Sequence, residues 1–396
     1  MNDKPAVSSP MLTVVHVVTV PMTLRFLRGQ AAFMGERGYE IVAVSSPGTE
    51  LDAFAEREGI RVYEVPMQRA ITPLRDLLAI VQLCRVLRTV RPSIVHGHTP
   101  KGGLLAMLAG TLAGVPVRIY HMRGLPFLEA RGVRRVLLRW TERVSCALAH
   151  RVISVSQSLL QAAVEQRLVS GQKAFVPGYG SGQGVDAEGE FNPCRQPDRV
   201  RESVRGDMGI PHDAKVVGFV GRLAQDKGIE DLASAWSIIK CRRPDARLLL
   251  VGPVDHASPP TSRVLDVLGS DPTVHRAETA ADIPSVYSAM DMLVLPTYRE
   301  GFPNVVLEAS AMGLPAVASR VVGCLDAVVD GVTGTLVPSR SPIELASAIC
   351  AYLDDPARRA SHGRAARARV LSDFTRERVW AAISQEYDSL TRYVRA

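Results

Sequence analysis

The sequence predicts an α/β protein made of two doubly wound parallel-sheet domains. Three observations carry that expectation. At 396 residues the chain is too long for one ordinary core. Short apolar runs rich in β-branched residues alternate with longer amphipathic stretches, the pattern of buried parallel strands joined by helices. The alternation stops once, at a segment rich in glycine and proline, and then starts again.

In the first half the strand-like runs are 13–17, 41–44, 60–65, 93–96, 117–121, 152–155 and 174–176. Helical stretches such as 74–90 and 133–149 lie between them. Then comes Gly178-Tyr179-Gly180-Ser181-Gly182-Gln183-Gly184, followed by polar sequence holding Pro193, Pro197 and Pro211. That composition reads as a linker over 185–212. Its glycine spacing does not match G-x-G-x-x-G, so it is not read as a dinucleotide fingerprint. Strand-like runs resume at 215–220, 247–251, 273–275, 292–296 and 316–319, and helical stretches close the chain, the last at 375–394. Two such domains are expected to face each other across a cleft lined by the carboxyl edges of their sheets, where ligands of such folds bind.

Composition narrows the class. Hydrophobic residues make up 46% and charged residues 22%, which suits a packed core and excludes long disorder. The cysteines are Cys84, Cys146, Cys194, Cys241, Cys324 and Cys350, and none forms a CxxC pair. Such a scattered set points to reduced thiols in a cytosol. The apolar stretch 11–22 lacks a basic leader and a small-residue cleavage site, so no signal peptide is expected. The stretch 104–117 is too short to span a bilayer, so a soluble or peripheral protein is expected. Residues 1–194 hold 22 Lys and Arg against 15 Asp and Glu, whereas 195–396 hold 25 of each. The excess positive charge therefore sits wholly in the first half, which is expected to face an anionic partner. Nucleic acid is not expected as that partner.

The segment Glu300-Gly301-Phe302-Pro303-Asn304-Val305-Val306-Leu307-Glu308 is the first candidate site. The apolar run 292–296 precedes it, Pro303 suits a first helical position, 305–312 reads as helix, and Gly313 with Pro315 stops it. A loop at a strand's carboxyl end that opens a helix offers free N–H groups to phosphate, and the two carboxylates are placed to grip hydroxyls. Phosphate and polyol together point to a sugar nucleotide.

Gly221-Arg222-Leu223-Ala224-Gln225-Asp226-Lys227-Gly228 follows the first strand of the second domain. Arg222 and Lys227 offer a fork and a point charge to a diphosphate. No D-x-D, H-E-x-x-H or G-x-x-x-x-G-K-[ST] motif occurs, so no metal and no cofactor are expected. In the first domain His96-Gly97-His98-Thr99-Pro100-Lys101-Gly102-Gly103 ends one strand and His121-Met122-Arg123-Gly124 ends the next. Two histidines one residue apart fit a metal, but no third ligand stands out. His121 is expected in the cleft, near the leaving diphosphate or a sugar hydroxyl. Between 128 and 149, Arg131, Arg134, Arg135, Arg139 and Arg143 alternate with apolar residues and Trp140, a pattern that suits an anionic membrane surface or a core-facing helix with a solvated basic side.

Taken together, the E-x7-E element with its GFPN turn, the G-R-L-x-x-x-K-G run at 221–228 and Gly331-Val332-Thr333-Gly334 resemble glycosyltransferase family 4, retaining enzymes of the GT-B architecture that use nucleotide sugars. His98-Thr99-Pro100-Lys101-Gly102-Gly103, Gly184-Val185-Asp186 and Cys324-Leu325-Asp326-Ala327-Val328 resemble the branch that makes capsules, exopolysaccharides and O-antigens in bacteria. The resemblance implies an acceptor-binding domain over 1–190, to which a final helix at 376–396 returns, and a nucleotide-sugar domain over 191–375. It implies that Arg222 and Lys227 hold the donor diphosphate, Glu300 the transferred sugar and Glu308 the ribose. Backbone amides from Gly301 through Phe302, Pro303 and Asn304 to Val305 would meet the sugar and phosphate, and His121 would touch the donor. His98, Lys101 and Arg123 would lie on the acceptor side.

The implied reaction is transfer of a hexose from a uridine-diphosphate donor to a hydroxyl of a polyprenyl-linked saccharide, with retention and without metal, on the cytoplasmic face of the membrane. A sugar-nucleotide 2-epimerase of similar architecture is the alternative. One departure from the family stands out: Thr19-Val20-Pro21-Met22 occupies the place of a Gly-Gly loop after the first strand.

Overall fold

A computed structural model describes residues 11–68, 70–278 and 282–392. The chain divides into two compact units, one formed by residues up to 183 together with 377 onward, the other by 184–376.

The first unit carries a seven-stranded, wholly parallel sheet in the order β3-β2-β1-β4-β5-β6-β7. The strands are β1 (Leu12–Val17), β2 (Tyr39–Ser45), β3 (Arg61–Glu64), β4 (Ile94–His98), β5 (Val117–Met122), β6 (Arg151–Ser154) and β7 (Ala174–Phe175). The order reverses between β1 and β4, the doubly wound pattern expected from the alternation. Side chains alternate across a strand. Val14 and His16, Ile94 and His96, and Ile119 and His121 therefore share one face. The apolar members of that face pack with Val379, Trp380, Ile383 and Tyr387 of the last helix, Arg376–Thr391. The expected helix at 375–394 is thus present through Thr391, and Tyr393 and Val394 lie outside the described residues.

The second unit has a six-stranded parallel sheet ordered β10-β9-β8-β11-β12-β13. Its strands are β8 (Lys215–Val220), β9 (Ala246–Val251), β10 (Val274–Ala277), β11 (Met292–Leu295), β12 (Ala316–Ser319) and β13 (Gly334–Val337). The edge strand β13 is absent from the sequence-based expectation, because four residues that include a glycine and a threonine give too short an apolar run.

The expected linker at 185–212 needs correction. Within it, Asp198–Asp207 is an α-helix and Pro193–Arg195 a 3-10 turn. Arg201 and Arg205, one helical turn apart, explain why a polar stretch is ordered. Arg201 donates to the Ser288 and Met290 carbonyls at 2.6 and 2.9 Å and to Asp291 at 3.0 Å. Arg205, 1% exposed, donates to the Ala289, His212 and Ala214 carbonyls and to Asp291. Composition marks such a segment as solvated; two arginines satisfied by carbonyl oxygens make it part of the fold.

Candidate active site at the switch point of the second sheet

In the second sheet the strand order reverses between β8 and β11. The loops leaving these two strands hold the segments singled out from sequence: 221–228 after β8 and the start of 300–308 after β11. A switch point is where two loops diverge to opposite faces and leave a crevice for a ligand.

The loops are tied to each other. Lys227 Nζ lies 2.5 Å from Glu300 Oε1, and both side chains are largely buried, at 18% and 13% exposure. The Asp226 carbonyl accepts from the Tyr298 N–H at 2.9 Å and from Thr297 Oγ1 at 3.1 Å. Arg299 Nη2 donates to the Asp226 carboxylate at 3.1 Å. Gly228 makes the close approach possible. Its φ is +68°, and a Cβ there would stand 2.0 Å from the Pro296 carbonyl oxygen. Gly323 does the same for the next loop, with φ +80° and a hypothetical Cβ 2.5 Å from the Gly301 oxygen.

Arg222 sits at the same strand end, half exposed, and its guanidinium pairs with Asp255. Asp255 was not foreseen from the sequence: no motif marks it, and only the fold brings the loop after β9 to Arg222. The helix after the GFPN turn runs Asn304–Ala311, one residue earlier than expected, with Pro303 as its N-cap rather than its first helical residue. No side chain caps it, and Val306 N–H bonds the Pro303 carbonyl at 3.0 Å. Phe302 packs on Phe374, ring centroids 5.5 Å apart, which fixes the turn. Glu308 lies one turn into this helix, where Val305 and Glu308 both meet Tyr287. Tyr287 Oη donates to Glu308 Oε2 at 2.9 Å. Burial, reinforced by the Glu308 carboxylate, pushes the Tyr287 phenol well above its ordinary value, so it stays a donor. Cys324, next to this site, is also buried, and burial with Glu300 nearby pushes its thiol well up, which makes it a poor nucleophile.

The structure brings Lys227, Glu300 and the GFPN turn into one site, with Arg222 and Glu308 in the loop and helix beside it. His98, Lys101, His121 and Arg123 belong to the first unit. His98 is the last residue of β4, and His121 stands one residue before the end of β5. They are neighbours in register inside β4 and β5, just as His16 and His96 are neighbours in β1 and β4. His121 is fully buried, and neither ring nitrogen has a hydrogen-bond partner among the described residues. Burial above all, helped by the Arg123 charge, lowers the histidines: His16 falls to about 3, and His96, His98 and His121 lie well below their ordinary value. All four imidazoles are neutral at pH 7.

The third histidine that the sequence did not reveal is His16, placed by strand pairing. Ring nitrogens of His16, His96 and His98 lie within 4.8 Å of one another. Their donor set would suit a transition-metal ion. Against it stand the nearby guanidinium of Arg123 and the hydrogen bond that already joins His16 Nδ1 to His98 Nε2 at 2.8 Å. Lys101 is engaged in local structure: its ammonium pairs with Asp76 at 2.7 Å and also bonds the Ala70 carbonyl. Among the described residues no carboxylate pairs with Arg123, which bonds only His98 Nδ1 and the Gly182 carbonyl.

Comparison with known proteins agrees with this geometry. A family model described as "Glycosyl transferase 4-like domain" matches residues 23–179, and one described as "Glycosyl transferases group 1" matches residues 214–355. The capsular polysaccharide biosynthesis glycosyltransferase CapM of Staphylococcus aureus is 29% identical, over 96% of this chain and 97% of that protein. A UDP-Gal:alpha-D-GlcNAc-diphosphoundecaprenol alpha-1,3-galactosyltransferase of Escherichia coli is 26% identical over 67% of this chain and 68% of that protein. Among solved structures, HepE of Anabaena in complex with UDP-glucose superposes with a TM-score of 0.79 at 20% identity, covering 96% of this chain and all of that one. The GT-B architecture of two Rossmann-like domains follows from that likeness and from the two sheet orders. With both halves matched by glycosyltransferase models, the chain belongs to the glycosyltransferases, specifically to the family 4, group 1 enzymes that resemble those of capsule and polysaccharide synthesis.

Proposed function

We propose that this glycosyltransferase moves a hexose from a uridine-diphosphate sugar to a hydroxyl of a polyprenyl-linked saccharide during surface-polysaccharide synthesis, with retention of configuration. The observation that carries the donor half of this reading is the Lys227–Glu300 contact at the switch point, which joins a cation for phosphate to a carboxylate for sugar hydroxyls. The relatives support the rest: HepE was solved with UDP-glucose, and the Escherichia coli relative is named for a UDP-galactose donor and a diphosphoundecaprenol-linked acceptor.

In this reading Arg222 and Lys227 neutralise the donor diphosphate, Glu300 holds the transferred sugar and Glu308 the ribose. The amides from Gly301 to Val305 meet the sugar and phosphate. The C1–O bond to the diphosphate breaks and the C1–O bond to the acceptor forms on the same face. The acceptor proton passes to the leaving phosphate oxygen. No side chain need act as general base, and the chain's contribution is preorganised positive charge where the diphosphate's negative charge grows. No metal is called for in this scheme.

The acceptor reading places the enzyme on the cytoplasmic face of the membrane. Two helices of the first unit support it. Pro73–Val90 exposes Leu74, Leu77 and Leu78, and Gly132–Leu148 exposes Val133, Val136 and Trp140 beside Arg134, Arg135 and Arg139. Exposed apolar residues among arginines suit the surface of an anionic bilayer. Among the described residues no helix is long and apolar enough to cross a membrane.

The test is incubation of the purified enzyme with UDP-, GDP- and ADP-sugars, with and without a lipid-diphosphate-linked saccharide, and NMR of the product anomer. UDP release that depends on acceptor, with a retained anomer, is expected. Conversion of the donor sugar without acceptor would identify an epimerase instead.

A further inference from the structure

Arg123 is a guanidinium without a counter-ion. It is half-buried, follows directly on β5, and among the described residues no carboxylate pairs with it. Its side chain lies over the Phe26 ring, 4.3 Å from the centroid. Its two polar contacts are long: Nε donates to His98 Nδ1 at 3.4 Å and Nη2 to the Gly182 carbonyl at 3.4 Å. Arginine has five N–H donors, so three remain without an acceptor. Arg205, by contrast, has an aspartate and three carbonyls.

The surroundings sharpen the point. Because Arg123 donates to His98 Nδ1, the His98 proton sits on Nε2, which then donates to His16 Nδ1 at 2.8 Å. That leaves the His16 proton on Nε2, a buried donor with no acceptor. Both ring nitrogens of His121 are also buried without partners. The site therefore holds one fixed positive charge and several donors, and among the described residues no anionic side chain receives them. A desolvated cation with unused donors is costly unless an anion completes it. Gly182 makes room for the guanidinium: a Cβ at that position would stand 2.6 Å from Arg123 Nη1.

We propose that Arg123 anchors an anion site in the first unit that takes a phosphate or diphosphate group, and that this group is the one on the lipid carrier of the acceptor. The second clause rests on the acceptor reading above; the first does not. Arg123 belongs to the first unit, whereas the Arg222 and Lys227 pair belongs to the second. Arginine suits the task because its fork meets two phosphate oxygens at once.

The experiment uses the full chain and inorganic pyrophosphate as probe, in an Arg222→Ala/Lys227→Ala background that removes the donor clamp. Pyrophosphate is expected to raise the melting temperature there, and Arg123→Gln to weaken its affinity about tenfold or more, as lost charge-assisted hydrogen bonds do. Arg123→Gln itself should melt no lower than its parent, because it removes a charge without a counter-ion; a structural arginine would behave in the opposite way. Arg123→Lys, which keeps the charge and loses the fork, should fall between. With the donor clamp intact, Arg123→Gln should raise KM for a lipid-diphosphate acceptor about tenfold and leave donor KM nearly unchanged. Pyrophosphate binding that ignores Arg123 would overturn the site. Binding that needs Arg123, with donor rather than acceptor KM affected, would keep the site and overturn its assignment to the acceptor. If no sugar transfer is found with any acceptor, the proposed reaction fails while the pyrophosphate arm still decides the site.

Discussion

Lys227 Nζ and Glu300 Oε1 stand 2.5 Å apart although 73 residues separate them in sequence. The contact joins the loop after β8 to the loop after β11 across the switch point of the second sheet. The lysine's charge is held by the glutamate. A diphosphate would draw the ammonium toward itself and free Glu300 for a sugar hydroxyl. Lys227→Ala should then lower kcat by about two to three powers of ten, the usual cost of one preorganised donor at a developing oxyanion. Circular dichroism and the melting curve should stay close to wild type, and near-normal turnover in steady-state assays would remove Lys227 from the mechanism.

Gly228→Ala tests the same site without touching a charge. The residue has φ +68°, and its new Cβ would meet the Pro296 oxygen at 2.0 Å. The left-handed conformation alone costs about 1–2 kcal/mol for a residue with a Cβ. The loop must shift, carrying Lys227 away from Glu300. Reduced stability in urea, together with a raised donor KM and a lowered kcat, is the expected outcome.

Glu142 offers a pH test of the first unit. It is 1% exposed, Oε2 accepts from Tyr120 Oη at 2.6 Å, and Oε1 has no partner. Burial pushes its carboxyl up to about 8. The folded state therefore keeps the proton between about pH 4.5 and 8 while the unfolded chain releases it, so this group's stabilising contribution is complete below pH 4.5 and is lost as pH rises through 8. Glu142→Gln should remove that loss. Its stability relative to wild type should grow by roughly 1.4 kcal/mol per pH unit across the window, measured by urea unfolding at pH 5 and pH 8.

The buried histidines work in the opposite direction. His16 titrates at about 3 in the folded protein against an ordinary 6.5. The unfolded chain takes up a proton between those values and the folded one does not, so stability is full above pH 6.5 and falls as pH drops below it. His16→Asn should flatten the acid limb of the stability profile, and an unchanged limb in thermal melts from pH 7 to 4 would exclude the histidine as its cause.

Membrane contact is open to a direct measurement. Leu74→Asp with Leu78→Asp removes apolar surface from the helix Pro73–Val90, where both residues are exposed, at 82% and 63%. Flotation with vesicles containing anionic lipid should show affinity falling by more than tenfold, since burying each leucine contributes roughly 1.5–3 kcal/mol. High salt should weaken wild-type binding as well, through the arginines of Gly132–Leu148. Equal flotation of variant and wild type would rule out this face.

By itself the sequence determined what is local. The alternation of β-branched runs with amphipathic stretches, read at periods of two and 3.6, marks twelve of the thirteen strands to within a few residues. Motif spacing around 221–228 and 300–308 singled out the loops that form the candidate site, because a strand exit followed by a helix start is a local event with local residue requirements. Tertiary structure decided what depends on which strands are neighbours. His16 meets His96, and Tyr387 bonds His96 Nδ1 at 2.6 Å from 291 residues away, because β1 pairs with β4 and the last helix covers their shared face. Asp255 reaches Arg222 for the same reason. Arg201 and Arg205 look like solvated surface in the sequence, yet carbonyls at 288–291 turn them into the order of a helix. Arg123, too, reads as one more basic residue of a basic half. Its burial, and among the described residues the want of a carboxylate beside it, appear only in the fold, because desolvation and pairing are properties of a place in the fold.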